Sequence, residues 1–251
     1  MEITNALLNE LGADPKVYSE AERHLMGEYA DRIIGGELPS LLEECKLPKD
    51  TLAGLKDEYG KNRDSLMASM RRILTLADEL PGVFESKSSI FTSALSDEEK
   101  CDLVTEAAQI MREIVDLRED MLDSILFIYR GMEDLYDLQN EYNSTLARLG
   151  IISIAAKAAE TAGAVYDEDS VMTPILEAYE ELTDFTAFTN DLKDKAVIYE
   201  KSVEIKMGHF IDSLAVSLDL HGDGKGLSVK GVNEDAARLR LIAEDVLKTH
   251  V

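Results

Sequence analysis

The sequence contains no tryptophan, two cysteines and five prolines, and its aromatic residues make up only 6%. Each scarcity narrows the possibilities. Cys45 and Cys101 are too few and too far apart for a disulfide framework or a cysteine metal site. So little proline and glycine (15 residues) argues against an all-β or loop-rich chain. No apolar run approaches the roughly 18 residues that span a bilayer; the longest, LGIISIAA at residues 149–156, stops at Lys157. The N-terminal MEITNALLNELGAD lacks the basic-then-apolar order of a secretory signal. A cytoplasmic location is therefore expected.

Positive charge is scarce as well. Against 50 Asp and Glu stand 26 Lys and Arg, for a net charge of −24. Nucleic acid and anionic lipid are repelled by such a surface, because binding them requires cations that release counterions. Cations and basic proteins fit better. What is abundant is hydrophobic content, at 45%, enough for a core and too much for a disordered chain.

The apolar residues recur at helical spacing almost throughout. Helices are expected over residues 3–11, from Asp14-Pro15 to Gly35-Gly36, briefly between Pro39 and Pro48, and from Pro48 to Leu80, with Pro81-Gly82 as the stop. Ser96 and Glu99 spell a capping box. From it runs a seam of Leu103, Ala107, Ile110, Ile114, Leu117, Met121, Ile125, Ile128, Met132, Leu135, Leu138, Tyr142, Leu146 and Leu149 with a mean step of about 3.5 residues. A second seam restarts at Thr173-Pro174 and follows Ile175, Ala178, Leu182, Phe185, Thr189, Leu192, Ala196, Tyr199, Val203, Met207, Phe210 and Leu214 with the same step. Gly150 and an alanine-rich tip separate the two, and a last helix is expected from Asn233.

These signals predict an all-α fold: an elongated helical bundle built on a long antiparallel coiled-coil-like hairpin, with shorter N- and C-terminal helices packed on it. The expected divisions are N-terminal short helices over 1–47, a long-helix bundle over 48–220, and a glycine linker with a C-terminal helix over 221–251. Ser124, Gly131 and Lys206 fall at seam positions and interrupt it. They imply a bend, a third helix packed against the gap, or a small cavity.

Chemistry-bearing motifs are sparse. None of His24, His209, His221 and His250 has a glutamate three residues before it, so an inward di-iron bundle is not supported. DLHGDGKGLSVK at 219–230 places Asp219, His221, Asp223 and Gly224 as in a calcium loop, but Lys230 stands where a bidentate glutamate is needed. No phosphate-loop, nucleophile-elbow or dinucleotide signature occurs.

Two Glu-x-x-x-Asp pairs remain, Glu119/Asp123 and Glu133/Asp137, with a third at Glu180/Asp184. Like charges four apart on a helix repel by a few tenths of a kcal/mol. All three pairs fall at the heptad positions that face away from the seam, where solvated charge belongs. Their functional reading is a site for a hard cation such as Mg, Ca, Mn or Fe, with Glu119, Asp123, Glu133 and Asp137 as ligands. DLR at 116–118 and the acid-flanked EDLYD at 133–137 resemble motifs of the PhoU family of phosphate-signalling helical bundles. That family's usual ERIGD is absent. The resemblance implies a metal-binding regulatory bundle.

The leading functional expectation is a non-enzymatic bundle acting through a protein partner or as a homo-oligomer. The metal-binding bundle is the first alternative. A pore-forming protein with a membrane-inserting tip at residues 149–166 is the second.

Overall fold

Ser19 decides where the first substantial helix begins. Its hydroxyl accepts from the Glu22 amide at 3.3 Å, while the Glu22 carboxylate accepts from the Ser19 amide at 2.7 Å. This capping box satisfies two amides that Asp14-Pro15 leaves without partners. The expected start at Asp14 is therefore corrected: α2 runs Glu20–Ile34, and Val17 lies outside it, exposed. The helix ends as read, in a Schellman turn at Gly36 (φ +87°) closed by Glu37 N–H to Arg32 C=O at 2.9 Å.

A computed structural model of the chain describes residues 1–85, 96–220, 222 and 226–249. It is all-α, with no strand among these residues. The other elements are α1 (Asn5–Glu10), α3 (Leu38–Glu43), α4 (Lys49–Glu85), α5 (Asp97–Thr161), α6 (Glu168–Glu200), a π-helical segment (Lys201–Met207), α7 (Gly208–Ser217) and α8 (Val229–Lys248).

Four further helix boundaries differ from the sequence reading. Pro81 does not stop α4, because in the last turns a proline removes one hydrogen bond while buried Phe84 anchors the turn beyond it. Gly150 does not stop α5. A mid-helix glycine costs about 1 kcal/mol, and burying Ile151, Ile152 and four alanines (155, 156, 158 and 159) outweighs it. The stop is Gly163 (φ +95°), with Ala164 N–H to Ala159 C=O at 3.0 Å. α6 starts at Glu168, not at Pro174, since Glu168 and Asp169 complement its positive end and Val171 is buried. α8 starts four residues before Asn233, capped by the Ser228 hydroxyl on Gly231 N–H at 3.2 Å.

The chain forms two compact units, each from separate segments: Met1–Ala53 with Glu133–Asn190, and Gly54–Met132 with Asp191–Val251. In the first, α1–α3 pack Leu8, Met26, Ala30 and Leu41 against Leu149, Ile152 and Ala156 of α5 and Ala178 of α6. Small alanine side chains let the short helices sit close. In the second, Met70 and Ile73 of α4, Ile114 and Met121 of α5, Val203 and Leu214 of the π segment and α7, and Leu239 and Ala243 of α8 share one core. Each fully buried side chain of this size contributes roughly 1.5–3 kcal/mol before conformational entropy is subtracted.

Within each unit α5 and the returning helix run antiparallel. In the first unit Gln139 donates to Thr186 at 3.0 Å and Tyr142 to Glu181 at 3.3 Å. In the second, Tyr129 donates to Glu200 at 2.7 Å and Arg118 to Val203 C=O at 2.9 Å. Of the seam residues, Leu103, Ile114, Met121, Leu135, Tyr142, Phe185 and Met207 are buried, while Ile110, Leu117, Leu146, Ile175, Leu182, Leu192 and Phe210 are only partly so.

Candidate functional site

The burial pattern of α5 orients its carboxylates. With Met121, Ile125 and Ile128 turned inward in the second unit, Glu119 and Asp123 face solvent. With Leu135, Leu138 and Tyr142 turned inward in the first, Glu133 and Asp137 face solvent too, as do Glu180 and Asp184 of α6. Among the described residues, no group of three or more His, Cys, Asp or Glu is placed to hold a metal ion. Of the calcium-like loop, His221, Asp223 and Gly224 lie outside the described residues. Asp219 takes φ +53° and accepts from Gly226 N–H at 3.0 Å, while Lys230 sits in α8, 3.6 Å from Glu234.

One carboxylate near the outward pairs is differently used. Glu181 is half-buried and receives the Tyr142 hydroxyl at 3.3 Å and the Lys49 ammonium from the start of α4. Lys49 also lies 3.5 Å from Glu177. Burial, with Glu181 beside it, pushes the Tyr142 phenol up to about 12. Hydrogen bonding to Glu181 raises Lys49, so both groups hold their protons. This is a clasp, tying α4 and α5 to α6 within the first unit.

The interruptions of the seam have separate explanations. Gly131 makes room for a third helix: a Cβ there would stand 1.9 Å from the hydroxyl oxygen of Tyr59, a buried residue of α4. Lys206 is not in the seam. The wider turn of the π segment carries it to the exposed side while keeping Val203 and Met207 buried. The carbonyls loosened by that turn are taken by Arg118, which donates to Val203 at 2.9 Å and Glu204 at 2.9 Å. Gly208 leaves space for the guanidinium, since a Cβ there would be 2.9 Å from its Nη2.

Two concavities were not singled out from the sequence. In the first unit, Glu10, Leu11, Lys157, Glu160, Thr161, Tyr166 and Glu168 line a cavity of about 380 Å³. In the second, Arg63, Asp64, Met67 and Arg71 of α4 and Lys195 of α6 line a cleft of about 530 Å³. The available signal was Arg63, Met67 and Arg71 at successive four-residue steps, which places two cations on one helix face. Lys195, 124 residues after Arg71, joins them only through the fold.

Several large apolar residues remain exposed on the returning helix. They are Leu176 and Tyr179 in the first unit, and Ile198, Ile205 (64%) and Val216 (75%) in the second. The apolar tip expected at 149–166 is mostly turned into the first unit's core, with Val165 its exposed exception. No helix among the described residues is long and apolar enough to cross a membrane. No family model, curated protein or solved structure matches the chain.

Proposed function

We propose that the chain is a non-enzymatic, cytoplasmic helical-bundle protein that works by docking another protein, or a second copy of itself. The observation that carries this reading is the set Ile198, Ile205 and Val216, exposed along α6, the π segment and α7. Ile205 and Val216 are eleven residues apart, close to three helical turns, so they share one face, while the wider π turn sets Ile198 to its side. Water contact at these exposed β-branched residues is unfavourable, and a partner relieves it. The net charge favours a partner whose contacting surface is basic or neutral.

Light scattering coupled to size-exclusion chromatography tests the self-docking form. The expected result is a mass above the 27.8 kDa of one chain, returning to that value in Ile205→Asp plus Val216→Asp with helicity unchanged. Crosslinking in the native host tests the partner form by comparing the same two proteins. A strict monomer whose crosslinks are identical with and without the substitutions overturns the proposal.

A second reading, a carboxylate metal-binding regulatory bundle, draws on one observation. None of Glu119, Asp123, Glu133 and Asp137 makes an ion pair with a described residue. Their charges are thus available to a hydrated hard cation.

A further inference from the structure

We propose that the cleft between α4 and α6 in the second unit binds a small phosphorylated anion, held by Arg63, Arg71 and Lys195. The composition of the lining is the first argument. Acidic residues outnumber basic ones 50 to 26 over the chain, yet this cleft has three cations and one carboxylate, Asp64. Random placement on so acidic a surface favours the opposite ratio.

The state of the three cations is the second argument. Arg71 makes no side-chain hydrogen bond or ion pair with any described residue. Arg63 leans on its own neighbour Asp64 at 3.0 Å, and that carboxylate is 72% exposed. Lys195 pairs with Asp191 at 2.9 Å, one turn back on the same helix. Exposed pairs of this kind contribute little, about 0–1 kcal/mol, and exchange readily for a better anion. Lys195 is itself the least exposed of the three partners, at 28%, so its charge is partly desolvated and an added anion gains more there than on open surface.

Dimensions select the ligand. Arg63 and Arg71 are eight residues apart, about 12 Å along the helix, and their long side chains can close on a ligand from both ends. Guanidinium forks match phosphoryl oxygens two at a time, while a lysine supplies a point charge between them. Buried Met67 lies between the two arginines on α4. A volume of about 530 Å³ lies within the usual range of small-ligand sites. An anion with two linked phosphoryl groups fits this span better than orthophosphate. It has two sources, inorganic pyrophosphate and a nucleoside diphosphate.

Isothermal titration of the full chain with pyrophosphate, in magnesium-free buffer, tests the site. The expected result is saturable one-site binding that weakens at least about tenfold in Arg71→Gln and in Lys195→Gln. Arg238→Gln, an exposed arginine of α8, binds like the parent. Both cleft substitutions are at the surface, and circular dichroism verifies the fold. ADP in place of pyrophosphate identifies the source: tighter binding marks a nucleotide, equal or weaker binding the inorganic anion, and either supports the site. No saturable heat with both probes at millimolar concentration overturns it, as does binding that Arg71→Gln and Lys195→Gln leave unchanged.

Discussion

The Arg118 guanidinium of α5 donates to the main-chain carbonyl of Val203 at 2.9 Å. With a second bond to Glu204 C=O, also 2.9 Å, it satisfies acceptors where the returning helix widens into a π turn. The widening and the arginine therefore depend on each other. Arg118→Ala leaves carbonyls unsatisfied in a partly buried place, at a cost of about 1–3 kcal/mol. Arg118→Lys restores the charge but not the two-pronged reach. Urea denaturation is expected to rank the three proteins parent, lysine, alanine. Equal midpoints would show that the π turn holds itself.

Gly131 and Tyr59 provide a steric test. Ala usually gains about 1 kcal/mol over Gly inside a helix, so Gly131→Ala would stabilise an unobstructed α5. Here the new Cβ meets the Tyr59 hydroxyl at 1.9 Å and its ring at 2.9 Å. The expected net effect is a loss of about 1–3 kcal/mol from overpacking. In a Tyr59→Leu background the same substitution becomes neutral or stabilising. A double-mutant cycle without coupling would refute the contact.

Some tyrosines should resist alkali. Burial, with Glu200 beside it, pushes Tyr129 up to about 12, and burial with Glu181 does the same for Tyr142. A phenol raised on folding stabilises the fold fully below its unfolded value near 10, and that contribution is lost as pH rises toward 12. Absorbance at the phenolate band should show Tyr129 and Tyr142 among the late-ionising tyrosines, together with Tyr166, which burial and Glu160 also raise. Tyr129→Phe and Tyr142→Phe should each remove one late step.

At the acid end the sign reverses. The Ser19 hydroxyl lowers Glu22; Arg32 lowers Glu44, Arg72 lowers Glu113 and Arg240 lowers Glu244. Carboxylates depressed in the fold stabilise it above their ordinary value of 4.5 and lose that effect as pH falls through the depressed values. Thermal midpoints are expected to decline below about pH 4.5. The two-pronged Arg72–Glu113 pair, at 2.7 and 3.1 Å, is the one to test. Glu113→Gln should flatten part of the decline.

The outward carboxylates predict a charge effect whatever they bind. Glu119→Gln plus Asp123→Asn relieves an i,i+4 repulsion worth a few tenths of a kcal/mol, so the midpoint should rise slightly at low salt and not at high salt. Titration with calcium, magnesium or iron then separates the readings. Binding that disappears in the double variant supports a cation site; binding that persists unchanged removes it.

Much of the architecture follows from local rules. The buried seams of α5 and the returning helix coincide with the apolar residues spaced about 3.5 apart, because that periodicity can bury one face only as a helix. The outward direction of Glu119, Asp123, Glu133 and Asp137 follows from the same arithmetic. Glycine at 36 and the Ser96–Glu99 box, with Ser96 N–H to Glu99 at 2.9 Å, also acted as read. Where local rules failed, at Pro81, Gly150 and Pro174, burial of neighbouring residues such as Phe84, Ile152 and Val171 offset the breaker, about 3 kcal/mol for a proline and about 1 kcal/mol for a glycine. Tertiary structure alone decided the rest. It placed Tyr59 against Gly131, drew Arg118 into the π turn, and brought Lys195 beside Arg63 and Arg71. Periodicity states which face of a helix is buried but carries no information about which distant helix will cover it, and a polar cleft leaves no periodic trace.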